Sequence, residues 1–224
     1  MNKEIYLVSG TNTETYPEFR ERMLFTAEEV NSINQPEKLW ITLTESPPPA
    51  ISIIPFKQGK IASFTLFRQE GDTVPCSLLT GQAGFRFASQ VEEGIPIAYT
   101  KDWPDGSVTP GVCLLTLFRS RKDLSHDIFI DRWHNSHTPL SLRIHPLWHY
   151  NRNVVTQTIA SNEPAWDGIV EEHFKTRTDL LNPFRFFGNP MVIIPRMIEV
   201  YRDTNAFLDY KTIEPWLVRE YHIR

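Results

Sequence analysis

Basic excess is missing from this chain, and one large class of partners goes with it. Its 23 Lys and Arg are outnumbered by 27 Asp and Glu, for a net charge of −4. Nucleic acids and anionic membrane surfaces therefore find no electrostatic footprint. Cysteine is scarce: Cys76 and Cys113 alone, in 224 residues, do not make a disulfide framework. Long apolar runs are absent too, and none reaches the ~20 residues that cross a bilayer. The start, MNKEIYLVSG, lacks the apolar stretch of a secretory leader. The expectation is a soluble, cytoplasmic protein. No G-x-G-x-x-G, P-loop or G-x-S-x-G occurs, which removes the simple nucleotide-binding and hydrolase readings. Cys-x-x-Cys and His-Glu-x-x-His are also missing. His126, His134, His145 and His149 are close in sequence, but Pro146 breaks the helical ligand spacing of the last two. Neither a metal nor an organic cofactor is expected.

What is present suits a mixed fold. Hydrophobic residues at 41% allow a real core, and charged residues at 22% argue against disorder. The 17 prolines mark many element ends, which fits short strands and helices better than a helical bundle. The segment DWPDGSVTPG, residues 102–111, carries no periodic pattern and is the best boundary. It separates residues 1–105 from residues 110–224. Before it, strands are expected at 5–9, 38–45, 51–56, 60–68 and 96–101, with helices over 15–30 and 76–92. After it, strands are expected at 112–119, 147–159, 166–174 and 215–223. The clearest helix is 124–145, with Ser125 as its N-cap. Prolines 183, 190 and 195 argue against one continuous helix over 176–205. Each half then reads as β-α-β-β-α-β, the split βαβ order.

Phe129, Trp133, His137 and Leu140 fall on one face of the 124–145 helix. Pro139 cannot donate to the carbonyl of Asn135, so the helix is perturbed beside His137. An imidazole there could move protons in an apolar cleft. The alternative is a core histidine that holds the kinked helix by one hydrogen bond. Tyr150 and Asn153, three apart on a strand, point to opposite faces. Tyr150 could donate to a substrate oxygen or serve simply as a core aromatic. Asp167, Glu171 and His173 share one face of the 166–174 strand, and Glu172 lies on the other. Such a polar row is usually the wet face of a sheet.

Several consecutive features of the C-terminal half resemble the EthD family. LLTLFRSRKDLSHDIFIDRWHNSHTPLSLRI looks like the family's opening, with Arg121, Lys122, Leu124, Ser125, Phe129, Trp133, His137, Pro139 and Leu140. Tyr150 and Asn153 are similar to its Tyr-x-x-Asn, and Trp166-Asp167-Gly168-Ile169 to its entry into the third strand. FLDYKTIEPWLVREYHI looks like its end, with Glu220 at the acidic position. The chain departs from the pattern at 176–205, which is longer and richer in proline. The resemblance implies an α+β, ferredoxin-like fold of the dimeric α+β barrel group. Single-domain relatives pair sheet against sheet as homodimers. Two such tandem domains in one chain could form the same barrel as an intrachain pseudo-dimer, while a homodimer stays open. The implied activity is that of a cofactor-independent oxidoreductase acting on a small apolar or aromatic molecule, phenolic, quinone or polyketide-like. His137 would be the acid/base and Tyr150 the oxygen-positioning donor. Phe129, Trp133, Asn153 and Glu220 would contact the substrate. The alternative is a non-catalytic ligand-binding or accessory module on the same barrel.

Overall fold

The computed structural model describes residues 2–69 and 74–224. Its first half runs β1 (Asn2–Ser9), α1 (Tyr16–Asn34), β2 (Lys38–Leu43), β3 (Ile61–Arg68), α2 (Ser77–Thr80) and β4 (Phe85–Ile97). Its second half begins with β5 (Val112–Phe118) and α3 (His126–Asp131). A single π-helical stretch (Arg132–His137) leads into α4 (Thr138–Ile144). Then follow β6 (His149–Ser161), β7 (Gly168–Phe174), α5 (Arg177–Leu181), α6 (Pro183–Phe186), α7 (Ile193–Asn205) and β8 (Glu214–His222). Among the described residues no helix is long and apolar enough to cross a membrane.

The eight strands close into one antiparallel barrel in the order β1-β3-β2-β8-β5-β7-β6-β4. Within it the first half reads β4-β1-β3-β2 and the second β8-β5-β7-β6, the same order by rank in each half. The halves join at two seams, β2 with β8 from Trp40↔His222 to Leu43↔Arg219, and β4 with β6 from Phe87↔Ser161 to Ile97↔Tyr150. Closure leaves no free sheet edge. Helices cover the outside of β3 and β5, so both faces of these strands are buried, and IASFTLFR and VCLLTLF read as largely apolar runs, while the far parts of β4 and β6 stay exposed.

Local signals explain the helices. Thr15 and Glu18 form a reciprocal capping box at the start of α1, with Pro17 in its first turn. The Ser125 side chain caps α3. On the first half, Phe19, Met23, Ala27 and Val30 of α1 pack against Tyr6, Val8, Ile41 and Phe64 with no exposed surface. On the second, Phe129 and Trp133 pack against Phe118, Tyr150, Val154 and Val170.

Three expected elements differ. The stretch 76–92 is not a helix: Gly84 takes φ +87° and ends any helical course, and a Cβ there would meet the Ser9 carbonyl oxygen at 2.0 Å. Residues 85–97 alternate instead and fill the gap between β1 and β6. Residues 51–56 are not a strand, because the prolines around them remove donors and the chain leaves the sheet. Past Ile97 the segment expected as strand 96–101 turns across one end of the barrel, where the Tyr99 hydroxyl donates to Glu220 Oε1 at 2.9 Å. The polar row of β7 is not a wet face either. Glu171 and His173 point into the closed barrel and are buried.

Gly168 lies where β7 passes beneath the π-helical stretch. A Cβ there would meet the Phe118 ring at 2.4 Å and Trp133 at 2.9 Å. Gly168→Ala is expected to destabilise the fold by about 2 kcal/mol, read from urea unfolding.

Candidate functional site

A cavity of about 400 Å³ lies between the outer face of β5, β6 and β7 and the helices of the second half. That volume falls within the range of small-molecule sites. Its floor is Leu114, Thr116, Phe118, Tyr150, Val170 and Glu172, and its roof includes Trp133, His137, Met197, Val200, Tyr201 and Thr204. Ile53, Ile54 and Pro55 reach in from the first half.

The π-helical stretch sets the roof. The N–H of Thr138 bonds to the carbonyl of Trp133, five residues back. The Thr138 hydroxyl donates to the same carbonyl at 2.9 Å and accepts from Arg152 Nη1 at 2.8 Å. The helix is thus perturbed beside His137, as Pro139 requires. The wider turn places His137 at the cavity. Its Nδ1 bonds to Asp203 Oδ2 at 2.7 Å, and its Nε2 faces the Ser141 hydroxyl at 3.2 Å. Ser136 also donates to Asp203. Burial pushes the Asp203 carboxyl up, but the hydrogen bonds from His137 and Ser136 outweigh it and hold the group below its usual range. An ionised carboxylate on Nδ1 fixes that nitrogen as the N–H, so Nε2 is the acceptor of the ring, and the Ser141 hydroxyl is placed to donate to it.

Tyr150 and Trp133 meet beneath this turn, with Trp133 Nε1 at 3.4 Å from the Tyr150 hydroxyl. Burial pushes the Tyr150 phenol well above its ordinary value, so it stays a hydroxyl and a donor. Phe129 stands behind Trp133, rings 5.5 Å apart, and is part of the packing that supports the wall.

Glu172 is the residue that strand reading passed over. It projects from β7 into the apolar cavity, and no hydrogen bond or ion pair to it is found among the described residues. Burial alone raises its carboxyl from 4.5 to about 7. A signal was available. Two adjacent glutamates on a strand must face opposite ways, so a strand buried on both faces forces one of them into each side. Asp203, Tyr201 and Thr204 were out of reach, because the course of 176–205 was not readable from its prolines.

Asn153 and Glu220 lie elsewhere. Both face the barrel interior, across the sheet from the cavity. Asn153 Nδ2 donates to the Ile169 carbonyl at 3.0 Å. Glu220 accepts from Tyr99, and from Thr109 at 2.8 Å, and sits 3.0 Å from His222 Nε2. Burial pushes it up, yet His173 and His222 beside it hold it far below the usual carboxylate range. The structure thus brings His137, Tyr150 and Trp133 together and separates them from Asn153 and Glu220.

The fold is shared with solved structures. One is an anthrone oxidase-like protein, 12% identical, with a TM-score of 0.57 over all of this chain and 92% of the other. A second, named as a candidate monooxygenase from Fusobacterium nucleatum subsp. nucleatum, is 7% identical, with a TM-score of 0.53 over all of this chain and 92% of its own. At these identities the likeness is one of fold. No family model and no curated sequence matches the chain.

The raised Glu172 carboxyl carries a stability signature. Its pKa of about 7 in the folded chain exceeds the 4.5 of the free group, so stability is lost as pH rises from 4.5 through about 7. Glu172→Gln removes the buried charge. The variant is expected to melt about 5 °C above the parent at pH 8 and level with it at pH 4, by scanning calorimetry.

Proposed function

We propose that the chain is an EthD-like oxidoreductase built as two tandem ferredoxin-like units, 1–105 and 110–224, that form an intrachain pseudo-dimer. Its second half oxidises an apolar, oxygenated aromatic compound, phenolic, quinone or polyketide-like, without an organic cofactor. The observation that carries this reading is Glu172, a carboxyl raised to about 7 in a largely apolar cavity that His137, oriented from outside it by Asp203, also lines. Titratable groups tuned in this way and gathered in a cleft are the usual mark of acid–base chemistry.

The chemistry follows from these groups. The substrate carries a CH₂ flanked by aromatic rings and conjugated with a carbonyl. Ionised Glu172 removes one proton, and the charge spreads onto the carbonyl oxygen, where the Tyr150 hydroxyl stabilises it. Such a delocalised carbanion passes an electron to dioxygen directly, and recombination forms a C–O bond as the hydroperoxide. His137 Nε2 then takes the second proton from the same carbon while the O–O bond breaks, and the departing hydroxide leaves as water. In sum, CH₂ and O₂ become C=O and H₂O. Trp133, Leu114 and Val170 keep the site dry, which strengthens each of these contacts.

Anthrone, which carries such a CH₂, serves as test substrate, with oxygen uptake as the readout. Glu172→Gln and His137→Ala are each expected to lower turnover by about 100-fold or more while anthrone binding is kept. Parent activity should climb through about pH 7, in step with Glu172 ionisation. Binding without oxygen uptake in the parent would identify an accessory ligand-binding module instead. Full turnover in both variants would remove these residues from the chemistry.

A further inference from the structure

The two halves are not equal in their hairpin connections. In the second half β6 and β7 are joined by residues 162–167 alone. In the first, the corresponding β2–β3 connection occupies residues 44–60 and contains no strand or helix. Irregular connections of that length inside a compact fold usually carry a function.

This one crosses to the other half. Ile54 and Phe56 pack into an apolar cluster with Leu114, Leu217 and Phe186 of the second half. The Lys57 amide donates to the Pro215 carbonyl at 2.8 Å, and the Phe56 amide closes a tight turn on the Ile54 carbonyl at 2.8 Å. Upstream, Pro47, Pro48 and Pro49 restrict the backbone. The strap is therefore anchored just after Ile53 and stiffened before it.

Ile53 itself is not buried by this anchoring. It lines the cavity yet stays 37% exposed. Tyr201 and Tyr210 line the same cavity, 56% and 43% exposed, with rings edge to face at 5.4 Å. An apolar side chain half in a cavity and half in solvent stands at its mouth. Ile51, by contrast, is 94% exposed and does not line the cavity.

We infer that residues 53–55 of the first half are the specificity wall of the second half's site, and that Ile53, which lines the cavity with Tyr201 and Tyr210, sets the length of ligand admitted. The inference rests on the reading of the cavity as a site for aromatic ligands. It gives the first half a role in the site beyond completing the barrel. Ile53 is a specificity-determining residue, so its effect falls on the discrimination among ligands of different length.

The test is calorimetric titration of the full chain with phenol, 1-naphthol and anthrone, which have one, two and three fused rings. Ile53→Trp is expected to weaken anthrone by about tenfold or more while phenol stays within about twofold. Ile53→Ala should weaken anthrone and narrow the preference among the three. Ile51→Trp, on the same strap but outside the cavity, should change nothing. Because Ile53 is partly exposed in a loop, all three variants should melt with the parent. If the parent binds all three probes and Ile53→Trp binds them with unchanged affinity, the strap inference falls while the aromatic site stands. If the parent binds none of them, the aromatic reading of the cavity falls and takes the strap with it. An equal effect of Ile51→Trp would also overturn the role given to Ile53.

Discussion

Closure of the eight strands is the constraint on which the rest depends. A closed barrel has no edge to pair, and every strand acquires an inside and an outside. Once helices cover the outside, both faces are dry, and each polar side chain on a strand must find a partner or shift its ionisation. In the first half one buried carboxyl meets this demand by pairing: Glu4 lies 3.5 Å from Arg68 and accepts from the Tyr6 hydroxyl at 2.7 Å. Glu172 of the second half is given no such partner among the described residues. Its carboxyl rises to about 7 for that reason. The same strand chemistry thus produces a buried ion pair on one side of the molecule and a poised acid–base group on the other.

The asymmetry of the halves follows from what fills the space between helix and sheet. In the first half, α1 lays Phe19, Met23, Ala27 and Val30 directly on the strands. In the second, the π-helical stretch widens the turn before α4, and α7 lies over the opening instead of filling it. Helix α7 does two things there. Asp203 reaches His137 and fixes its ring, and Met197, Val200 and Thr204 roof the cavity. The strap from the first half adds the remaining wall. A site on one half is therefore completed by the other, which ties the chemistry to the whole barrel.

Much of this was legible residue by residue. Branched and apolar runs placed most strands, Pro17 marked the start of the first helix, and Ser125 marked that of the 124–145 helix by its ability to accept from a free amide. Pro139 announced the disturbed turn at His137, because a missing N–H acts wherever the helix runs. The opposition of Tyr150 and Asn153 followed from the two-residue period of a strand. Other features were not readable. Residues 85–92 read as part of a helix because their sheet neighbours, β1 and β6, are distant in sequence. The row Glu171 and His173 looked wet because nothing local says that a sheet closes on itself.

Sequence alone marked most strands and the starts of the two main helices, since caps, prolines and side-chain period act over a few residues. It also singled out His137, Trp133 and Tyr150 as candidates in the second half. Tertiary structure decided what those groups meet. Asp203 reaches His137 from 66 positions away, and Ile53 reaches the same cavity from the other half of the chain. Burial, not residue type, turned Glu172 into a group that titrates near neutrality, and burial is a property of the closed fold.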